Sequence, residues 1–271
     1  MKKYQLFGVR IDDLDERELE QQLIRWMNES VPRTIVTPNP EFILRTMRHE
    51  SFRLLLNKSD LSLPDGVGLR FAIAATTEDT LLHRHTGVDL VNTLAKLSAQ
   101  TQHRVMLFGG LPHAAEKTKN HLKKLYPSLE IESIDPGVIE YIDGHFSIVS
   151  ALRDQIGVFQ PHVFIVALGQ GKQEEFIDEI RPSISSLRIA VGVGGSFDTL
   201  GGLIPRAPIW MRRMGLEWGW RVFIEPKRIN RILNASFVFP LIVVYATVKQ
   251  HNFFHACKKV LPEIYHQLKG L

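Results

Sequence analysis

Three glycine-rich turns are the first features of the sequence that could do chemistry. Residues 108–110 (FGG), 168–175 (LGQGKQEE) and 192–202 (GVGGSFDTLGG) each follow an apolar run. Glycine lets backbone N–H groups approach a phosphate closely, and a helix that begins just after adds its positive end. Gly109, Gly110, Gly169, Gly194 and Gly195 are therefore candidate nucleotide contacts. Gln173 and Glu174 open a helix, where each side chain can reach a ligand or cap the helix. Asp198 can bond a ribose or base, or cap the helix after it. No turn matches G-x-G-x-x-G with an acid about 20 residues on, and none matches the P-loop. The missing dinucleotide fingerprint argues against an NAD-dependent oxidoreductase.

Asp65, in LPDGVG (63–68), stands at a strand-end turn, where a carboxylate can act as a general base or bond its own backbone as a turn former. Thr37 and Asn39, in a loop stiffened by Pro38 and Pro40, end another strand and can converge on the same place. His83 and His85 lack a third partner at metal-ligand spacing, so no metal site is expected. Cys257 lies in the basic tail without a convincing base partner, so a thiol nucleophile is not expected, and no G-x-S-x-G elbow occurs.

The elements that would carry these residues alternate. Apolar, β-rich runs at 34–39, 61–68, 104–110, 129–135, 162–171 and 188–197 are separated by helical patterns at 41–57, 88–98, 114–126 and 173–180. Such continuous apolar strands indicate a parallel sheet buried on both faces, so the fold class expected is α/β, Rossmann-like. The glycine turns then share the carboxyl edge of the sheet, where ligands bind in open α/β folds.

The chain has 271 residues, a net charge of +4 and one cysteine. That length can hold one large domain or two small ones, and the single cysteine rules out a disulfide framework and points to an intracellular protein. The charge is uneven. Residues 203–271 hold eleven Lys or Arg and three acids, a net of +8, which leaves −4 on residues 1–202. We read 1–202 as the catalytic domain and 203–271 as a basic, mainly helical appendage that meets an anionic partner. Trp210, Trp218 and Trp220 interleave there with arginines, a pattern that suits a membrane interface or single-stranded nucleic acid. The apolar run at 235–248 is about 14 residues long, short of the roughly 20 needed to span a bilayer, and contains Pro240. Its basic flanks favour a place on a membrane surface, and the acidic body argues against nucleic acid. The N-terminal 16 residues do not read as a signal peptide.

Seven blocks now fall into one pattern: TPNPEF (37–42), LPDGVG (63–68), RHTGVDL (84–90), LFGG (107–110), LGQGKQEEF (168–176), VGVGGSFDTLGG (191–202) and RAPIWMRRMGLEWGWRVFIEPKRINR (206–231). In that order, over about residues 5–232, the chain resembles the WecG/TagA/CpsF family of bacterial glycosyltransferases. The resemblance implies inverting, metal-independent transfer of a sugar from a UDP-sugar to a lipid-diphosphate-linked acceptor sugar, with no further cofactor. N-acetylmannosamine transfer to undecaprenyl-diphosphate-GlcNAc is the form best matched, with glucose or another hexose as the alternative. Teichoic acid or other cell-surface polysaccharide would be the product. It further implies a cytoplasmic enzyme, peripheral on the inner face of the plasma membrane, and leaves a homo-oligomer open. Asp65 matches the family's general base. Thr37, Asn39, Gln173 and Arg84 match active-site positions, and Arg206, Arg213, Arg221 and Arg228 match appendage arginines that meet the diphosphate. Two departures stand out. Gly171 occupies a position where the family usually has proline, and about 40 residues extend past the last block.

Overall fold

In a computed structural model of the chain, the described residues are 1–142, 145–147, 150–214, 217–224 and 229–269. The strands are β1 (Lys2–Leu6), β2 (Val9–Asp13), β3 (Arg33–Val36), β4 (Leu61–Ser62), β5 (Val105–Gly109), β6 (Ile131–Ile134), β7 (Glu140–Ile142), β8 (His145–Ser147), β9 (Val163–Ala167) and β10 (Ile189–Gly192). Helices α1 (Glu16–Asn28), α2 (Pro40–Thr46), α3 (Glu50–Lys58), α4 (Val67–Thr76), α5 (Gly87–Thr101), α6 (Ala114–Leu125), α7 (Ser150–Phe159), α8 (Lys172–Ile180) and α9 (Ser196–Leu200) cover the sheet. Beyond residue 202 come α10 (Ile209–Arg213), α11 (Glu217–Ile224), α12 (Ile229–Leu233), α13 (Phe239–Lys249) and α14 (Phe253–Lys269).

Six strands form one parallel sheet in the order β4-β3-β10-β9-β5-β6, as the buried apolar runs predict. Each central strand alternates between two cores. Val163, Ile165 and Ala167 of β9 join residues of α1, α5 and α6 on one face. Phe164 and Val166 join Phe176, Ile177 and Ile180 of α8 on the other. Side chains two apart share a face and neighbours oppose, so a strand apolar at every position must be covered twice. All the carboxyl ends of the sheet then open on one side.

The helical pattern at 41–57 is two helices, not one. The Arg45 carbonyl accepts from both Arg48 and His49, a turn that ends α2 and starts α3 at a new angle. The bend brings Phe52 to 5.6 Å from Phe42. A third core, with Phe42, Phe52, Leu56 and Ile73, also takes in the β1–β2 hairpin.

That third core continues into the basic tail. Phe239, Val243 and Ala256 are buried in it. The apolar run at 235–248 is a π-helical turn at Asn234–Val238 leading into α13, with Pro240 in its first turn. Proline has no N–H to give, and the Phe239 N–H bonds Asn234 five residues back, so the widened turn absorbs the break. One stripe of the run, Phe239, Val243 and Thr247, is buried, whereas Phe237, Leu241, Val244, Tyr245 and Val248 are exposed. Among the described residues no helix is long and apolar enough to cross a membrane. Because Phe239 is only 1% exposed, Phe239→Ala is expected to destabilise the whole chain by about 3–5 kcal/mol in urea unfolding. A loss confined to the tail, with the main transition unchanged, would contradict the shared core.

Candidate active site

A crevice of about 520 Å³ lies along the carboxyl ends of β3, β4, β5, β9 and β10. Its walls include Thr37, Asn39, Asp65, Gly110, Gly169, Lys172, Gln173, Gly194, Gly195, Asp198 and Arg206. The volume falls in the range of small-molecule sites. A wider depression of about 840 Å³ lies between β6 and α7, lined by Arg104, Glu130, Glu132 and Val158. Its wall takes in Ile134 at the end of β6 but no glycine turn, whereas Thr37, Asn39, Asp65, Gln173, Asp198 and Arg206 all line the first.

Asp65 is half-buried on the crevice wall, and its backbone N–H donates to the Pro38 carbonyl at 2.8 Å. This joins the β4 turn to the loop that carries Thr37 and Asn39. The β1–β2 hairpin holds the turn from behind. Asp12 accepts from the Ser62 N–H at 2.8 Å, and Asp13 accepts from the N–H groups of Leu82 and His83 at 3.1 and 3.0 Å. The His85 Nε2–H donates to the Leu14 carbonyl at 2.8 Å, while its backbone N–H donates to Pro64 at 3.1 Å. His85 is thus a brace for the Asp65 turn. Arg84 beside it is exposed and does not line the crevice.

Several other candidates hold the frame. The Thr37 hydroxyl donates to the Gly192 carbonyl at 3.1 Å, tying β3 to β10. Asn39 caps α2, with its Oδ1 accepting from Glu41 and Phe42 at 2.9 and 3.2 Å. An asparagine ahead of a proline at the first helical position is a strong start signal. Asp198 accepts from the Leu111 N–H at 2.9 Å, fixing the turn after β5 from the turn after β10.

Two of the candidate glycines commit their N–H groups within the protein. The Gly110 N–H donates to Ala167 at 2.7 Å, and the Gly194 N–H donates to the Gln173 Oε1 at 2.9 Å. Both glycines line the crevice, but these N–H groups are spent inside the protein. Gly110 is needed for packing: at φ +92° a Cβ would lie 2.9 Å from the Ala114 Cβ. Gly109 is buried behind it and is not on the wall. Cationic charge comes instead from Arg206, 3.5 Å from Asp89, and from Lys172, which donates to the Ile139 carbonyl. Lys172 lies inside the GQGKQEE block, where its position at the start of α8 was the available signal.

Of the other appendage arginines, Arg213 is exposed on α10, and its carbonyl accepts from the Gln267 side chain of α14. Arg228 and the side chain of Arg221 lie outside the described residues. Trp210 is exposed, and the Trp220 indole N–H donates to Pro205 at 2.9 Å. Among the described residues no three His, Cys, Asp or Glu side chains gather as a metal-ligand set.

Glu174 lies behind the wall, with its two oxygens accepting from the Gln173 Nε2 at 2.7 Å and the Gly171 N–H at 2.6 Å. Burial pushes its carboxyl up to about 7, opposed by those hydrogen bonds and more weakly by Arg45. An acid raised in this way binds its proton more tightly in the folded state than in the unfolded one. Its contribution to stability therefore falls as pH rises from about 4.5 through about 7. Glu174→Gln, which does not titrate, is expected to flatten that part of the melting-temperature profile. An unchanged pH slope would show that Glu174 does not titrate in this window.

The chain is similar in sequence to known proteins. A curated N-acetylglucosaminyldiphosphoundecaprenol N-acetyl-beta-D-mannosaminyltransferase of Bacillus spizizenii strain W23 is 33% identical over 200 residues, covering 74% of each chain. The enzyme of that name from Bacillus subtilis strain 168 is 29% identical over 209 residues, 77% of this chain and 78% of the relative. That of Staphylococcus aureus strain MRSA252 is 28% identical over 232 residues, 85% of this chain and 88% of the relative. Residues 4–252, which include every block singled out above and every residue of the crevice wall, match the glycosyl transferase WecG/TagA/CpsF family, and the chain belongs to that family.

Proposed function

We propose that this glycosyltransferase moves N-acetylmannosamine from a UDP-sugar to a lipid-diphosphate-linked N-acetylglucosamine, with inversion, in the assembly of teichoic acid or another cell-surface polysaccharide. The observation that carries the reading is one crevice that holds a carboxylate, Asp65, and two cations, Lys172 and Arg206, at the ends of five parallel strands. The names of the relatives supply the acceptor and the sugar.

In this reading Asp65 takes the proton from the acceptor hydroxyl as its oxygen bonds the anomeric carbon. The bond from that carbon to the UDP oxygen breaks, and the electron pair leaves on the diphosphate. Lys172 and Arg206 meet the charge that builds there, without a metal as part of the proposal. Asp65→Asn keeps the shape of the side chain and removes the base. Turnover is expected to fall 10²–10⁴-fold, with the melting temperature little changed. The assay supplies each UDP-sugar, hexoses included, with a short-chain lipid-diphosphate-GlcNAc and reads products by mass spectrometry. Near-normal transfer by the variant would overturn the base, and transfer from a UDP-hexose alone would overturn the sugar.

We further propose that the chain works peripherally on an anionic membrane, at its cytoplasmic face, where such an acceptor would lie. Exposed Leu241, Val244, Tyr245 and Val248 on α13 support this, with Lys249 at its end and Phe254 and Leu261 on α14. Burying such side chains is worth about 1.5–3 kcal/mol each. Leu241→Ser combined with Tyr245→Ser should lower co-sedimentation with anionic vesicles at least tenfold and leave thermal stability intact. Equal pelleting of variant and parent would overturn the docking face.

A further inference from the structure

The loop between β9 and α8 forms one side of the crevice through Leu168, Gly169, Gln170 and Lys172. Its Gln170–Gly171 peptide is gripped at both ends. The carbonyl of Gln170 accepts from the Arg45 Nη1 at 3.1 Å, and the N–H of Gly171 donates to the Glu174 Oε2 at 2.6 Å. A peptide unit held by its C=O on one side and its N–H on the other cannot rotate without breaking a bond to a charged or buried group. Arg45 is itself fixed. Its Nη2 bonds the Glu175 Oε1 at 3.1 Å, and its Cζ stands 4.5 Å from the centre of the Phe52 ring. Arg45 belongs to α2 and so ties the β3 arm of the crevice to the β9 arm, 125 residues apart in sequence.

Gly171 makes the grip sterically feasible. It sits at φ +84°, and a Cβ there would overlap the Arg45 guanidinium. The guanidinium occupies the space that any side chain at 171 would need. Proline, locked near φ −65°, fits neither the backbone nor the space.

We propose that Arg45 and Gly171 are a matched pair that holds the 168–172 loop in its ligand-ready form, with Arg45 a positioning residue for the donor side of the crevice. The part of this that concerns the donor rests on the proposed UDP-sugar reaction; the loop-holding itself does not.

The test reads both. In Arg45→Ala, amide hydrogen exchange across 168–173 in the ligand-free protein should speed up about tenfold or more, while β5 and α6 keep their parent rates. Arg45→Lys keeps the stem over Phe52 but lacks the two-pronged donor, so it should fold normally and still show faster loop exchange. A loop that must be ordered by its ligand weakens apparent affinity by the fraction ordered. KM for the UDP-sugar should therefore rise about tenfold with kcat within threefold. Gly171→Ala should displace the guanidinium, so Gly171→Ala with Arg45→Ala should be no worse than Gly171→Ala alone. Loop exchange within twofold of the parent in a folded Arg45→Lys, or losses that multiply in the double variant, would overturn the pair. Parent protein that transfers no sugar from any UDP donor would overturn the reaction instead, and the exchange rates would still judge the loop.

Discussion

Gln173 joins the two central strand ends of the sheet. Its Oε1 takes the Gly194 N–H from the turn after β10, and its Nε2 gives a hydrogen bond to Glu174 at the start of α8, after β9. The side chain is 1% exposed, and Thr37, Glu174 and Asp198 nearby are all below 6%. A buried donor or acceptor left without a partner costs about 1–3 kcal/mol. The turns at the carboxyl edge therefore adopt the shapes that satisfy these four side chains, and those shapes fix the crevice. One consequence is chemical. With Gly110, Gly171 and Gly194 all donating inward, those three N–H groups are committed to the protein, and Lys172 and Arg206 stand at the rim as side-chain cations.

The rim is supplied partly from the tail, and the tail is not a loose attachment. Phe239 and Val243 sit in the same core as Phe42 and Ile73. Arg70 on α4 and Glu263 on α14 pair at 2.6 Å, and Lys259 reaches Glu78 at 2.6 Å. Partly exposed pairs of this kind contribute little each. The apolar stripe carries the attachment, and the pairs select its register. α14 lies beyond residue 252, where the family match ends. It bonds α10 through Gln267 and Arg213, so α10 is held in part by a contact from outside the matched region.

The sheet was legible because its strands announce themselves. A run such as VFIVA has only one stable home, buried on two faces, and its turn glycines then have to share an edge. Thr37, Asp65, Gln173 and Asp198 were found on that logic and do line one crevice. What each does there was not legible. Asn39, Thr37 and Asp198 are polar residues at strand ends, a description that fits a ligand contact and a hydrogen-bonded brace equally well. Only the partner decides, and the partners lie 87 residues away for Asp198 and 155 for Thr37. Arg45 and Asp12 escaped notice, and His85 was weighed only as a metal ligand, for the same reason, since their work is done across the fold. The break between α2 and α3 was hidden because both halves keep helical apolar spacing. The burial of Phe239 was hidden because the 235–248 run is apolar on all sides, so its spacing does not say which stripe faces the protein.

Satisfied hydrogen bonds also narrow the chemistry. Three acids of the glycine and aspartate turns were candidates for roles at the crevice. Glu174 is behind the wall with both oxygens engaged by the protein. Asp198 is 3% exposed and already holds the Leu111 N–H. A base must take a proton from a substrate hydroxyl at hydrogen-bond distance, and an acid used as a structural clamp gives up its own turn when it moves to do so. Asp65 is held through its backbone, by the Pro38 carbonyl, and braced through Pro64 by His85. From that braced turn Asp65 lines the crevice wall, the place that the proposed proton transfer requires.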